Sequence, residues 1–310
     1  MKTAKAFSPA GISSFFEICD RTADGKPIAD LKKLGARGGG FGLTKGVATD
    51  VQTSEAGENS VRVFINGREA PDAETTMTAV QMILEETRSP HQITVNHKVE
   101  IPIGTGFGSS AAGALTTTLA LSKALKLDMT VNQLGRIAHA AEIKCGTGLG
   151  TVGPLLVGGC VLTLEPGAPG IAVIDRIPIT SEYIIIAGVY GQTPTRKVLA
   201  SSQERRREIS ECGRKTLDSI LAEPSLENFL ACCLDFARKT RFMTERLERL
   251  VTLAEKAGVI GCAQNMVGEA IHALTTSENA ENVVQAFKQV LPKDKILVSN
   301  VDLEGARLLS

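Results

Sequence analysis

The chain has 310 residues, 43% hydrophobic and 22% charged, and its 34 basic and 34 acidic side chains cancel. That length suits two domains or one large one with a sizeable core, while zero net charge, no Trp and only two Tyr argue against nucleic acid or an anionic membrane as a partner. No signal peptide or bilayer-long apolar run is evident, so the expectation is a cytoplasmic protein with no membrane association. Seven cysteines, with no C-x-x-C pair and no His at zinc spacing, read as reduced thiols.

In chain order, Lys2 to Phe7 predicts a short strand and Ser8-Pro9-Ala10-Gly11 a turn. Ser13 and Ser14 follow, in a stretch from Ile12 to Asp20 where they could either open a helix or face a substrate. Leu34 to Thr53 carries glycines at 35, 38, 39, 40 and 42 with no helix after them, which predicts a hairpin or a site-lining loop in preference to a phosphate loop. Arg37 lies among these glycines, unscreened by bulky neighbours, either as a surface arginine or as a bidentate partner for a carboxylate. Val61, Val63 and Ile65 alternate into Asn66-Gly67, a tight-hairpin signal, and Ala73 to Thr87 reads as an amphipathic helix bounded by Pro90. Such a mixture is not a run of β-α repeats, which argues against a doubly wound sheet.

The stretch from His91 to Leu127 is the most informative. Ile93, Val95, Val99 and Ile101 alternate with polar residues as in a half-buried strand, and helical spacing takes over from Ala111 to Leu125. Between them lie Pro102, Gly104, Gly106 and Gly108, then Ser109, Ser110 and Ala111. A helix start has unpaired N–H groups at the positive end of the dipole, and alternate glycines let a phosphate approach the backbone. The serines could cap the helix, touch phosphate or reach a metal ion. The loop is neither a Walker loop, because Gly108 stands where a Lys is needed, nor a Rossmann fingerprint, because Ser109 stands where the third glycine should be.

Farther on, Val131 to Ile143 predicts another helix, with Glu142 at its end and Lys144 just beyond. Glu165-Pro166-Gly167-Ala168-Pro169-Gly170 reads as a turn or domain junction. Strands follow at about Ile171 to Ile177 and Glu182 to Val189, then helices near Gln203 to Leu221, Leu226 to Lys239 and Glu245 to Ala257, and a last strand from Lys295 to Val301. The run Glu204 to Glu208 reads as a solvated helix face, and His139 as a packing or helix-surface residue.

The string P-I-G-T-G-F-G-S-S-A-A, from Pro102 to Ala112, resembles the central motif of the GHMP small-molecule kinases, with Phe107 in place of the usual Leu. SPAGISSFFEI, the Arg-Gly-rich segment around Arg37 and T-G-L-G-T-V-G-P-L-L-V-G-G from Thr147 are similar to the archaeal pantoate kinases of that family, and Ala257 to Leu274 stands where its third motif lies. The resemblance implies a two-domain α+β fold: a mixed strand and helix nucleotide-binding domain at 1–166 and an α+β domain at 167–310 completing the substrate cleft. It implies phosphorylation of pantoate by ATP with Mg²⁺, in coenzyme A synthesis, and suggests a homodimer. ATP would lie on Pro102, Gly104, Gly106, Gly108, Ser109, Ser110 and Ala111; Ser110 and Glu142 would hold the metal. Pantoate would meet Ser13, Ser14, Arg37 and Thr151, and Lys144 would either supply charge for catalysis or point to water. Thr151 stands where several members of the family have an Asp able to take a proton from the substrate hydroxyl, while homoserine kinase, another member, manages without a carboxylate base. Homoserine, shikimate or mevalonate as acceptor stays open, as does a non-catalytic nucleotide-binding protein of the same fold.

Overall fold

The computed structural model describes residues 1–22, 24–87, 89–191 and 201–310. Its first sheet is built on two long strands, β1 (Lys2–Cys19) and β2 (Gly35–Glu55), paired antiparallel over nearly their full length. The turn expected at Ser8 to Gly11 is a register shift between Pro9 and Ala10 inside β1, and Ser13 and Ser14 lie in the strand and open no helix. The glycines of β2 are there because strands cross closely. A Cβ on Gly40 would sit 1.7 Å from the Ile12 carbonyl oxygen, so any larger residue would force β1 away.

Strand β3 (Ser60–Ile65) turns at Asn66 and Gly67, both at positive φ, into the short β4 (Arg68–Glu69), as the Asn-Gly signal predicts. Helix α1 (Glu74–Leu84) then carries the chain to β5 (His91–Val99), which pairs parallel with β3 and antiparallel with β2. The central helix α2 (Ser109–Leu125) is buried on nearly every side because Ala, Thr and Leu dominate it. Its interior hydroxyls turn back on their own helix: Thr116 donates to the Ala112 carbonyl at 2.8 Å and Thr117 to that of Gly113 at 2.7 Å, so neither is left unpaired in the core. Helix α3 (Val131–Cys145) begins on a Thr130–Gln133 capping box and packs on α1 and α2. A short α4 (Val152–Val157) leads to β6 (Cys160–Glu165), which pairs with the glycine end of β2, and then to β7 (Val173–Ile177), which pairs with β6.

The junction expected at Pro166 therefore lies between two strands of one sheet, and the chain reaches the second sheet only at β8 (Tyr183–Gly191). Helices α5 (Gln203–Ala222), α6 (Leu226–Lys239) and α7 (Glu245–Lys256) follow. Strands β9 (Gly261–Gln264) and β10 (Glu269–Thr276), helix α8 (Ser277–Lys288) and β11 (Ile296–Asn300) complete a four-stranded antiparallel sheet in the order β11-β8-β10-β9. A final strand absent from the sequence reading, β12 (Arg307–Leu309), returns to the first sheet beside β1.

One apolar core lies between α1, α2, α3 and the outer half of β1, β2 and β5. A second joins the inner half of β1 and β2 to α5, α6 and the second sheet, with Phe15, Phe41 and Phe229 packed edge to face. A third fills the far face of the second sheet. The run from Glu204 to Glu208 is more than a solvated face: Arg205 donates to the Thr240 carbonyl and Arg206 pairs with Asp20. The seven cysteines are thiols, with Cys160, Cys233 and Cys262 buried.

Candidate active site

A cleft of about 400 Å³ opens where the bulge of β1, the glycine end of β2, the loop before α2, the loop after α3 and the turn between β9 and β10 converge. Gly104, Gly106 and Gly108 have φ of 76, 85 and 64°, the left-handed region that glycine enters without the strain a Cβ would bring. Gly108 is the N-cap of α2 and makes no side-chain cap bond, so the first N–H groups of a deeply buried helix face the cleft beside Ser109 and Ser110. Pro102 stays outside the cleft; its carbonyl accepts from the Thr105 hydroxyl at 3.0 Å and shapes the loop from behind. Ala111 is 1% exposed and does not line the cleft.

The end of α3 brings Glu142 to the floor. Its side chain is 2% exposed, and burial pushes its carboxyl up to about 7, opposed by the neighbouring hydroxyl dipoles of Thr147 and Ser110. Thr147 donates to Oε1 at 3.2 Å, and Oε2 is buried without a partner. Gly148 lets the loop pass close over this oxygen, since a Cβ there would lie 2.5 Å from Oε2 and push the carboxylate aside. Thr75, from the first turn of α1, accepts from the Ser110 hydroxyl at 3.0 Å and lies 3.2 Å from the Thr147 hydroxyl. The sequence carries no signal for Thr75, because its place depends on how α1 docks. An unpaired carboxylate oxygen beside a hydroxyl and open helix N–H groups fits a hard divalent cation that shares phosphate oxygens. Among the described residues no cluster of three or more His, Cys, Asp or Glu could hold an ion by itself.

At the other end Ser13 faces the cleft, whereas Ser14 does not: it is fully buried and hydrogen-bonds His272 Nε2 at 3.0 Å. His272 Nδ1 in turn lies 2.9 Å from Asn265 Oδ1, and burial lowers the imidazole to about 3. The neutral ring thus donates to Asn265 and accepts from Ser14. Met266 and Val267, in the same turn as Asn265, line the cleft, and the Met266 N–H donates to the Ser13 carbonyl at 2.7 Å.

Arg37 lines the cleft too, but its guanidinium is already engaged. Nε donates to Glu17 Oε2 at 2.8 Å and Nη2 at 2.5 Å, while Arg214 Nε reaches Glu17 Oε1 at 3.4 Å. The picture of an unscreened Arg37 is corrected accordingly, since the partner comes from the neighbouring strand, opposite it in register. Lys144 is exposed on α3 and does not line the cleft. His139 is buried, with Nε2 3.0 Å from the Leu34 carbonyl. Thr151 lies in the cleft at the start of α4, its methyl close to Gly11 and Gly108. Glu142 is the one carboxylate among the described cleft residues.

Residues 74–159 match the model of the GHMP kinases N terminal domain. Over 295 residues the chain is 32% identical to a pantoate kinase of Thermococcus kodakarensis, covering 94% of each protein. A solved structure described as a phosphotransferase related to the CoA biosynthesis pathway superposes with a TM-score of 0.87 at 28% identity, over 99% of this chain and 98% of that one. A structure of MDDEF in complex with MVAPP, AMPPCP and magnesium shares the fold, with a TM-score of 0.73 at 12% identity over 99% of both chains. Among the described residues no helix is long and apolar enough to cross a membrane.

Proposed function

The chain belongs to the pantoate kinases, a branch of the GHMP kinases, and from that premise we propose that it moves the γ-phosphoryl group of ATP to the 4-hydroxyl of pantoate, yielding ADP and 4-phosphopantoate for coenzyme A synthesis. The observation that carries this reading is the pairing of a positive-φ glycine loop at a buried helix start with an unpaired, buried carboxylate oxygen on the same cleft floor.

The loop from Gly104 to Ser110 cradles the triphosphate through backbone N–H groups and the α2 dipole, which is poorly screened inside the core. Ser110 and Glu142 hold Mg²⁺, which when bound neutralises charge on the transferring phosphate. Arg37 places the carboxylate of the acid, braced by Glu17, and Ser13 and Thr151 flank the substrate hydroxyls. Ser14, Lys144, Pro102 and Ala111 have no direct part, because none of them lines the cleft. With Thr151 at the start of α4, no carboxylate besides Glu142 stands among the described cleft residues to act as base. Transfer then rests on positioning and charge stabilisation, which a loose phosphoryl-transfer transition state allows.

The test is ADP release by the purified protein with Mg·ATP, comparing pantoate with homoserine, shikimate and mevalonate. Turnover on pantoate alone is expected. Turnover on another of the four would retain the nucleotide site and replace the acceptor. ATP binding with no turnover on any would identify a non-catalytic nucleotide-binding protein.

A further inference from the structure

We propose that Thr75 and Thr147 are positioning residues: they form a one-way hydroxyl relay that turns the oxygen lone pairs of Ser110 and Glu142 toward the metal. The inference rests on the reading that those two residues hold Mg²⁺.

The direction of the relay follows from counting hydrogens. Thr147 donates its single hydroxyl hydrogen to Glu142, at 3.2 Å from Oε1 and 3.3 Å from the carbonyl of the same residue. In its contact with Thr75, at 3.2 Å, Thr147 is therefore the acceptor and Thr75 the donor. Thr75 then has no hydrogen left for Ser110, so Ser110 donates to it, at 3.0 Å. The carboxylate at one end thus sets the orientation of every hydroxyl up to the other. A serine that donates inward presents only lone pairs outward, and a cation needs lone pairs; a freely rotating hydroxyl would aim its hydrogen there part of the time. At the opposite end, Thr147 occupies Oε1 and leaves Oε2, buried and unpartnered over Gly148, as the oxygen to be bound. The relay also ties three helices, because Thr75, Ser110 and Glu142 belong to α1, α2 and α3.

The test uses the full chain with a non-hydrolysable ATP analogue and Mn²⁺, reading free Mn²⁺ by electron paramagnetic resonance. Calorimetric binding of the same analogue in EDTA shows whether each variant is folded. Thr75→Val and Thr147→Val, which keep shape and remove the hydroxyl, are expected to weaken Mn²⁺ binding by about 10–100-fold, the usual scale for residues that orient metal ligands. Their metal-free nucleotide affinity is expected to hold, and Thr75→Ser and Thr147→Ser to restore Mn²⁺ binding. Unchanged Mn²⁺ affinity in both Val variants, with Glu142→Gln weakened, would overturn the relay and leave the metal ligands standing. Unchanged affinity in Glu142→Gln as well would overturn the ligand assignment itself and the relay with it.

Discussion

At the scale of single residues, two carboxylates, Glu142 in the cleft and Glu17 behind Arg37, have opposite surroundings. Glu142 is desolvated and its carboxyl is pushed up to about 7, whereas Glu17 is held between two guanidinium groups. A cation at Glu142 must displace a proton below that pH, so metal affinity should rise with pH through about 7, by up to tenfold per unit, and the dependence should vanish in Glu142→Gln. The sign for stability is the reverse. In the metal-free protein the folded state keeps the Glu142 proton between about 4.5 and 7 while the unfolded chain releases it. Stability from this group is therefore present at low pH and lost as pH rises through about 7. Melting curves of wild type and Glu142→Gln in EDTA should diverge over that window, with the variant gaining toward pH 8. Arg37→Ala should raise the KM for the acid about tenfold or more with a smaller effect on kcat, as expected on losing a charge-assisted hydrogen bond to a bound carboxylate. Steady-state kinetics with pantoate varied at saturating ATP would measure the split.

At the scale of elements, the start of α2 has little tolerance. Gly108 has φ of 64°, and a Cβ would meet the Thr151 methyl at 3.0 Å and the Gly11 carbonyl oxygen at 3.1 Å. Gly108→Ala should cost about 1–2 kcal/mol of stability for the left-handed backbone alone. It should also weaken ATP binding, as read by denaturant midpoints and calorimetry. This element was the most legible part of the sequence, because alternate glycines ahead of paired serines have few structural meanings. The Asn66-Gly67 hairpin and α6, whose observed span Leu226–Lys239 equals the expected one, were legible for the same local reason. What escaped depends on pairing across long sequence separations. The pattern around Pro9 looks like a turn because the bulge that β1 needs there is imposed by β2. Thr75 lies 35 residues from Ser110, which it serves, and Arg37 looked free because Glu17 lies 20 residues away on the facing strand. Lys144 follows Glu142 by two residues, which turns it about 200° around the helix, and of the two expectations for it the one that holds is that the side chain faces solvent.

For the whole molecule, the two sheets are joined at the cleft by the buried Ser14–His272–Asn265 chain. His272→Ala would strand Ser14 and Asn265 in the core, at about 1–3 kcal/mol for each unsatisfied group, and a lower melting temperature would report it. The depressed imidazole predicts that His272 contributes stability above pH 6.5, lost progressively as pH falls toward 3; pH-dependent melts of wild type and His272→Gln would isolate that contribution. The same turn packs against the glycine loop before α2. A Cβ on Gly268 would sit 2.4 Å from the Thr105 carbonyl oxygen, and one on Gly106 would sit 3.0 Å from the Asn265 Cβ. The loop and the turn therefore have no slack between them, and a nucleotide that stiffens one must stiffen the other. Amide hydrogen exchange would register this at a distance: filling the cleft with ATP should slow exchange in β9 and β10, strands outside the cleft lining, as well as in the glycine loop itself.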